Sequence, residues 1–326
     1  MKAALCKSLD GPDAIVIEDI AEPAAPGPGH ATVRVRIAAL NFLDTLMVRG
    51  KYQSKPDLPF SPATEFAGVV EAIGEGVKHV KPGDRVFSFG QTGAAREKIN
   101  APAATLIPIP ANVTDEVAAG IAVTYGTGYY GLKDRAQLKP GETCAVLGAS
   151  GGAGLAAVEL AKIMGAKVIA CASSPEKLAV CKSRGADVLV DYSKADLREA
   201  FKAATGGKGV DVVYDCVGGP YAEPSIRSMA WNGRYAVIGF AAGDIPKIPI
   251  NLLLLKSCSL VGVFWGASMQ KEAALNAANM RQIVTWVAEG KLKPHVHKVF
   301  PLAHTADAIR ELDNRASTGK VVIKVA

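Results

Sequence analysis

The chain has 326 residues, 49% of them hydrophobic, and carries 37 Lys and Arg against 31 Asp and Glu, a formal net charge of +6. That length suits two domains and that apolar share fills sizeable cores, which excludes a disordered or fibrous chain. The basic residues are scattered, with no run of five or six and no aromatic interleaving, so nucleic acid is not an expected partner.

Lys7, Asp10 and Asp13 interrupt the first residues before any apolar run reaches signal-peptide length. No uncharged stretch exceeds 16 residues, and one of that length, 117–132, is broken by Thr, Tyr and Gly, so a cytoplasmic protein without a membrane anchor is expected. Short alternating segments such as 31–37 and 66–72 are punctuated by Pro23, Pro26, Pro28, Pro56, Pro59, Pro62 and Pro82-Gly83-Asp84. This texture predicts a mostly antiparallel, loop-rich first domain. A helix is expected over 115–124, continuing through 129–133 as a link to the second domain.

Residues 146–154 read Val-Leu-Gly-Ala-Ser-Gly-Gly-Ala-Gly, between a short apolar run, 144–147, and an amphipathic segment, 155–164. A strand, a glycine turn and a helix start in that order form a dinucleotide pyrophosphate site. Gly148 suits the tight turn, Gly151 and Gly152 the close approach of backbone to phosphate, and Gly154 the packing of helix on sheet. Strand-like runs recur at 167–172, 187–190, 210–216, 234–238 and 259–263. Helical stretches or loops such as 175–183 and 197–204 separate them, the alternation of a parallel sheet covered on both faces.

The pattern changes after 263, to a helix over 271–289, a strand around 296–300, a helix over 306–315 and a final strand over 321–325. This tail is expected to fold back onto the first domain. The domains are then 1–122 with 264–326, and 123–263 between them.

No carboxylate ends the run 167–172, where an NAD site grips the ribose hydroxyls. Ser173, Ser174, Pro175, Glu176 and Lys177 follow instead. Two hydroxyls and an ammonium suit a phosphate on the ribose, with Glu176 set past Pro175 on a helix first turn, so NADPH is the expected cofactor. Six cysteines show no CxxC spacing and read as reduced core residues. His295 and His297 alternate on one face of an expected strand with no carboxylate or cysteine nearby, and read as surface or domain-contact histidines.

Five pieces occur in a specific order: Asn41-Phe-Leu-Asp44-Thr, Arg49-Gly50-Lys-Tyr52, Pro59-Phe-Ser-Pro62-Ala-Thr-Glu65-Phe-Ala-Gly68, Gly83-Asp84-Arg85-Val86 and Thr124-Tyr125-Gly126-Thr127. With the glycine turn, the chain resembles over nearly its whole length the zinc-independent quinone oxidoreductase (zeta-crystallin-like) branch of the medium-chain dehydrogenase/reductases. The resemblance implies an α/β fold: a GroES-like, mostly-β catalytic domain and a Rossmann domain with a doubly wound parallel sheet, holding NADPH in the cleft. It also implies a homodimer joined along the edge of the nucleotide sheet, with the apolar run 251–255 as a sign of such an edge. Zinc-dependent relatives carry a Cys near position 41, a His just before Glu65 and a four-cysteine lobe after the Gly-Asp-Arg-Val stretch. Here stand Asn41, Thr64 and a cysteine-free segment 88–102, so neither zinc site is expected.

The resemblance assigns Asn41, Asp44 and Tyr52 to the catalytic side, Asn41 as hydrogen-bond donor to the acceptor carbonyl and Asp44 fixing its loop. On residue type alone Asn41 equally caps a helix and Tyr52 equally packs. For the cofactor it implies Thr45 and Leu46, Thr127 on the carboxamide, and Tyr130 framing the nicotinamide or a flat substrate. Ser150, Gly151, Gly152 and Ala153 would face the pyrophosphate, and Ser173, Ser174, Lys177 and Tyr192 the ribose phosphate. Arg315 resembles a further phosphate contact, or ties the tail to the nucleotide domain. Val217, Gly239, Phe240 and Phe264 follow strand ends, where such cofactors lie. Two departures stand out. Ala63 replaces a frequent glycine, and Ala94-Ala95-Arg96-Glu97 replaces a small-aromatic-small run, so a wider or more polar pocket is expected.

Reduction of an ordinary aldehyde or ketone needs a Lewis acid or strong general acid on the carbonyl oxygen. A quinone is already electron-poor and takes hydride with little help beyond positioning. The expected function is therefore NADPH-dependent quinone reduction without metal. The same hydride delivery serves enones, enals or enoyl thioesters, the last if Arg49, Lys51 and Lys55 form a groove for phosphates. The alternative outside enzymes is an NADPH-binding sensor or an RNA-binding protein without turnover.

Overall fold

The computed structural model describes residues 1–90 and 92–326. They form two compact units, Met1–Val123 with Pro294–Ala326, and Thr124–Lys293.

The first unit is built on a seven-stranded sheet. Its long central strand, His30–Leu40, pairs antiparallel with Glu65–Ile73 on one side and with Lys320–Lys324 and Lys98–Pro102 on the other. Over much of their length these strands are buried on both faces, as at Ala38, Ala39 and Leu40 and at Val321, Val322 and Ile323. Val33, Val35, Leu40, Phe66, Val86, Val321 and Ile323 pack into one cluster. Burying each such large side chain is worth about 1.5–3 kcal/mol. Because Val321 lies opposite Leu40 in the antiparallel register, the residue before it, Lys320, is brought level with Asn41. That pairing of the chain's tail with its beginning builds the polar cluster described below.

The second unit carries a six-stranded, wholly parallel sheet. Its order is Val188–Asp191, Lys167–Ala172, Thr143–Leu147, Val210–Asp215, Met229–Val237 and Ser259–Gly262. Chain direction across the sheet reverses between Thr143–Leu147 and Val210–Asp215, the switch point at which doubly wound sheets bind dinucleotides. Cys144, Ala145, Val146 and Leu147 are all fully buried, as expected of a strand covered on both faces.

Three expectations are corrected. Residues 264–293 stand with the second unit, because their helices Trp265–Lys271 and Ala273–Ala288 dock there through Tyr129 on Trp286 and Lys133 on Asn279. The apolar run 251–255 is no sheet edge: it lies in the helix Asn251–Lys256 and exposes Leu254 and Leu255. The helix expected over 115–124 is split into Asp115–Ala119 and Ala122–Tyr129, and a π-type turn, Tyr130–Arg135, follows. Among the described residues no helix is long and apolar enough to cross a membrane.

Candidate active site

In the first unit, Asn41 ends the central strand and caps the six-residue helix Phe42–Met47. A helix of that length is unstable by itself, so its ties to the sheet decide where it sits. Asp44 supplies two of them. Its carboxylate accepts from the backbone N–H of Asn41 at 2.7 Å and of Ala63 at 3.1 Å. Asp44 is fully buried, and that burial lifts its carboxyl to about 7 against the two N–H bonds and the nearby Lys320. Ala63 has φ 71°, in the left-handed region that favours glycine.

Asn41 spends its whole amide on neighbours. Its Nδ2 donates to Thr64 Oγ1 at 3.1 Å and to Glu65 Oε2 at 2.8 Å, and its Oδ1 accepts from Lys320 Nζ at 2.7 Å. The donor role expected of Asn41 toward a substrate carbonyl is thus not available in this arrangement, because both amide hydrogens are taken. Glu65 is fully buried; its Oε2 also accepts from Lys320 at 2.7 Å, and its Oε1 accepts from the Val123 N–H at 2.7 Å. A zinc ion does not fit here: zinc wants cysteine, imidazole or carboxylate ligands, and an ammonium already lies between the amide and the single carboxylate. Among the described residues no group of three or more His, Cys, Asp or Glu is placed to hold a metal.

Tyr52 is half-buried against this core, and burial with the Asp44 charge raises its phenol. Thr45 is buried and donates to the Phe42 carbonyl at 2.8 Å, beside the half-buried Leu46. Arg49 pairs with Asp313 at 2.5 Å, and Lys51 and Lys55 are exposed. Arg96 is half-buried, its Nε without a partner among the described residues. His297 has a carboxylate neighbour after all, Glu311 at 3.1 Å, brought in by the helix Thr305–Asp313.

In the second unit, Gly148 turns at φ 70°, and a Cβ there would lie 2.8 Å from Val217 Cγ2. Gly154 lies so close to the strand end that a Cβ would sit 2.1 Å from the Gly148 carbonyl oxygen. Both are the roles expected of them. Gly151 caps the twelve-residue helix Gly152–Ile163 without a side-chain bond, and a Cβ there would meet nothing closer than 3.6 Å. The helix start has Ser150 buried beside it and Ala153 in its first turn, and its N–H groups favour an anion. Lys177 Nζ donates to Ser173 Oγ at 3.2 Å. Ser174 caps the helix Pro175–Ser183 and hydrogen-bonds the Glu176 carboxylate, which lowers that carboxyl. Tyr192 packs against Tyr221 with ring centroids 4.5 Å apart and the rings tilted by 38°.

Sequence reasoning missed Asp215. Its buried carboxylate accepts from the N–H of Val217 at 2.7 Å and of Gly218 at 3.0 Å, and from the hydroxyl of Tyr235. It therefore fixes the loop after its strand that carries Val217. Gly239 and the partly exposed Phe240 follow the next strand, and Phe264 is 62% exposed. Tyr130 donates to Glu272 at 2.8 Å, a partner 142 residues away that no local pattern marks. Thr127 lies half-buried next to Gly126, where a Cβ would meet the Trp265 ring at 2.5 Å. Arg315 sits in the first unit at φ 53°. Burial raises Cys144 and Cys181 to about 12, which keeps them as thiols.

Comparisons with known proteins agree with these two halves. The family model for the alcohol dehydrogenase GroES-like domain matches residues 27–111, and that for zinc-binding dehydrogenase matches 152–280. Quinone oxidoreductase-like protein 2 of Rattus norvegicus is 40% identical over 325 residues, 99% of this chain and 92% of the rat protein. The crystal structure of Escherichia coli quinone oxidoreductase complexed with NADPH superposes with a TM-score of 0.92 at 29% identity, covering 99% of this chain and 100% of that one. Quinone oxidoreductase of Thermus thermophilus, also solved with NADPH, gives 0.86 at 35% identity over 99% and 100%.

Proposed function

The chain belongs to the quinone oxidoreductase branch of the medium-chain dehydrogenase/reductases, and on that premise we propose that it is an NADPH-dependent, zinc-independent reductase of quinones. One observation carries the reading: the Lys320 ammonium lies between Asn41 and Glu65, so the site offers a rigid polar wall rather than a ligand set for a Lewis acid. Such a wall suits an acceptor that needs positioning more than activation.

NADPH supplies the hydride when bound. The start of the helix Gly152–Ile163 holds its pyrophosphate, and Ser173 and Lys177 hold the ribose phosphate, with Tyr192 alongside. Asp215 keeps Val217 in place for the nucleotide. Asp44 locks the helix Phe42–Met47 that bears Thr45 and Leu46, and Tyr52 borders the acceptor. The proton that completes the quinol comes from solvent. Two copies pair through the second unit, where Leu260 on the edge strand Ser259–Gly262 and Trp231 on the adjoining strand are exposed.

The test is NADPH consumption by the purified protein in chelator, run in parallel with 1,4-benzoquinone, an enone and an enal, with NADH as control. Fast turnover of quinone supports the proposal. Preference for the enone or enal replaces it with alkene reduction, and tight NADPH binding without turnover replaces it with a binding role.

A further inference from the structure

The polar cluster under Asn41 is assembled by a residue that no local pattern singles out. Lys320 opens the strand Lys320–Lys324 and is 4% exposed. Its stem passes so close to Gly120 that a Cβ there would lie 2.9 Å from Lys320 Cγ. The ammonium at its end bonds Asn41 Oδ1 and Glu65 Oε2, both at 2.7 Å, across 279 and 255 residues of chain. A lone surface lysine is a solvated charge. A buried one with a shaped path and two acceptors is committed to them.

Resting on the reductase reading, we propose that Lys320 is the positioning residue of the reducing site: by holding the Asn41 amide oxygen it fixes the start of the helix Phe42–Met47, and so the polar wall of the first unit against which the acceptor lies. First, the Asn41 amide has one orientation that satisfies every neighbour, with oxygen toward Lys320 and nitrogen toward Thr64 and Glu65. Turning it over would set oxygen against the Glu65 carboxylate and N–H against the ammonium. Second, Lys320 is the one cation bonded to Glu65 among the described residues. Without it, a buried carboxylate stands uncompensated close to Asp44, whose proton it disfavours releasing.

The experiment compares Lys320→Met and Lys320→Arg with the unaltered protein. Readouts are kcat and KM for benzoquinone, the pH profile of kcat, NADPH affinity by nucleotide fluorescence, and the Asn41 side-chain amide signals after selective 15N-asparagine labelling. In Lys320→Met, kcat is expected to fall about tenfold to a hundredfold, as misplacement by an ångström does. The inflection of its pH profile should move upward, and NADPH affinity should hold within about threefold. Lys320→Arg should recover most of kcat, because it restores the charge. An unchanged kcat and pH profile in Lys320→Met overturns the proposal, as does a loss that Lys320→Arg does not relieve. Should Lys320→Met not fold, Lys320→Gln carries the same readouts. If the unaltered protein reduces neither quinone nor enone, the functional reading fails and the amide signals decide the Lys320 inference alone. Two resolved, slowly exchanging Asn41 protons that broaden or shift in the variant support it; signals indifferent to the substitution refute it.

Discussion

Replacing Asp44 by Asn keeps the shape of the side chain and removes its ability to ionise, which isolates one buried proton. Burial lifts this carboxyl to about 7 from an ordinary 3.8. At about 1.4 kcal/mol per pH unit, that separation is worth roughly 4 kcal/mol in total. The sign follows from proton counting. Between pH 4 and 7 the folded protein holds the Asp44 proton and the unfolded chain has lost it, so stability is full at the acid end and falls as pH rises to 7. Over the accessible part, pH 5 to 7, the fall is roughly 2 kcal/mol from this group, because the folded carboxyl is itself half ionised at the upper end. Asp44→Asn lacks that slope. At pH 5 it is less stable than the parent by about 1–3 kcal/mol, since an amide offers one acceptor oxygen to the two N–H groups of Asn41 and Ala63. Urea denaturation followed by tryptophan fluorescence at pH 5, 6, 7 and 8 should show the two stability curves converging and then crossing. Parallel curves, separated by a constant gap to within about 0.5 kcal/mol, would refute the buried-proton argument.

Three further outcomes are expected. Ser173→Asp places a carboxylate beside Lys177 and should cut the ratio of NADPH to NADH affinity about tenfold or more, read by fluorescence titration; an unchanged ratio removes the ribose-phosphate assignment. Gly154→Ala drives a methyl into the Gly148 carbonyl and should cost about 1–3 kcal/mol in chemical denaturation, with NADPH affinity falling as the turn shifts. Tyr235→Phe strips one donor from the buried Asp215 and should destabilise by about 1.5–3 kcal/mol. A loss under about 0.5 kcal/mol would mean that Val217 and Gly218 suffice to satisfy the carboxylate.

Features written in neighbouring residues are legible in the amino-acid order itself. The strand, glycine turn and helix at 146–154 are set by steric demands of the residues themselves, and Gly148 and Gly154 stand where that logic puts them. The parallel sheet is visible there too, because strands buried on both faces must be apolar throughout. Composition misleads where one property serves two structures: 251–255 is apolar, and a short apolar run does not say whether helix or strand will bury it. What only the tertiary structure decided is pairing at long range. Lys320 reaches Asn41 because the tail strand registers Val321 against Leu40, and Arg49 pairs with Asp313, 264 residues on. Asp215 is likewise satisfied by Tyr235 from the adjacent strand. The charge and hydrogen-bonding capacity of each side chain are properties of its type, so the sequence determines what a residue can do. Which partner consumes that capacity depends on strand register and on the exclusion of water from a packed core, and neither exists until the chain has folded.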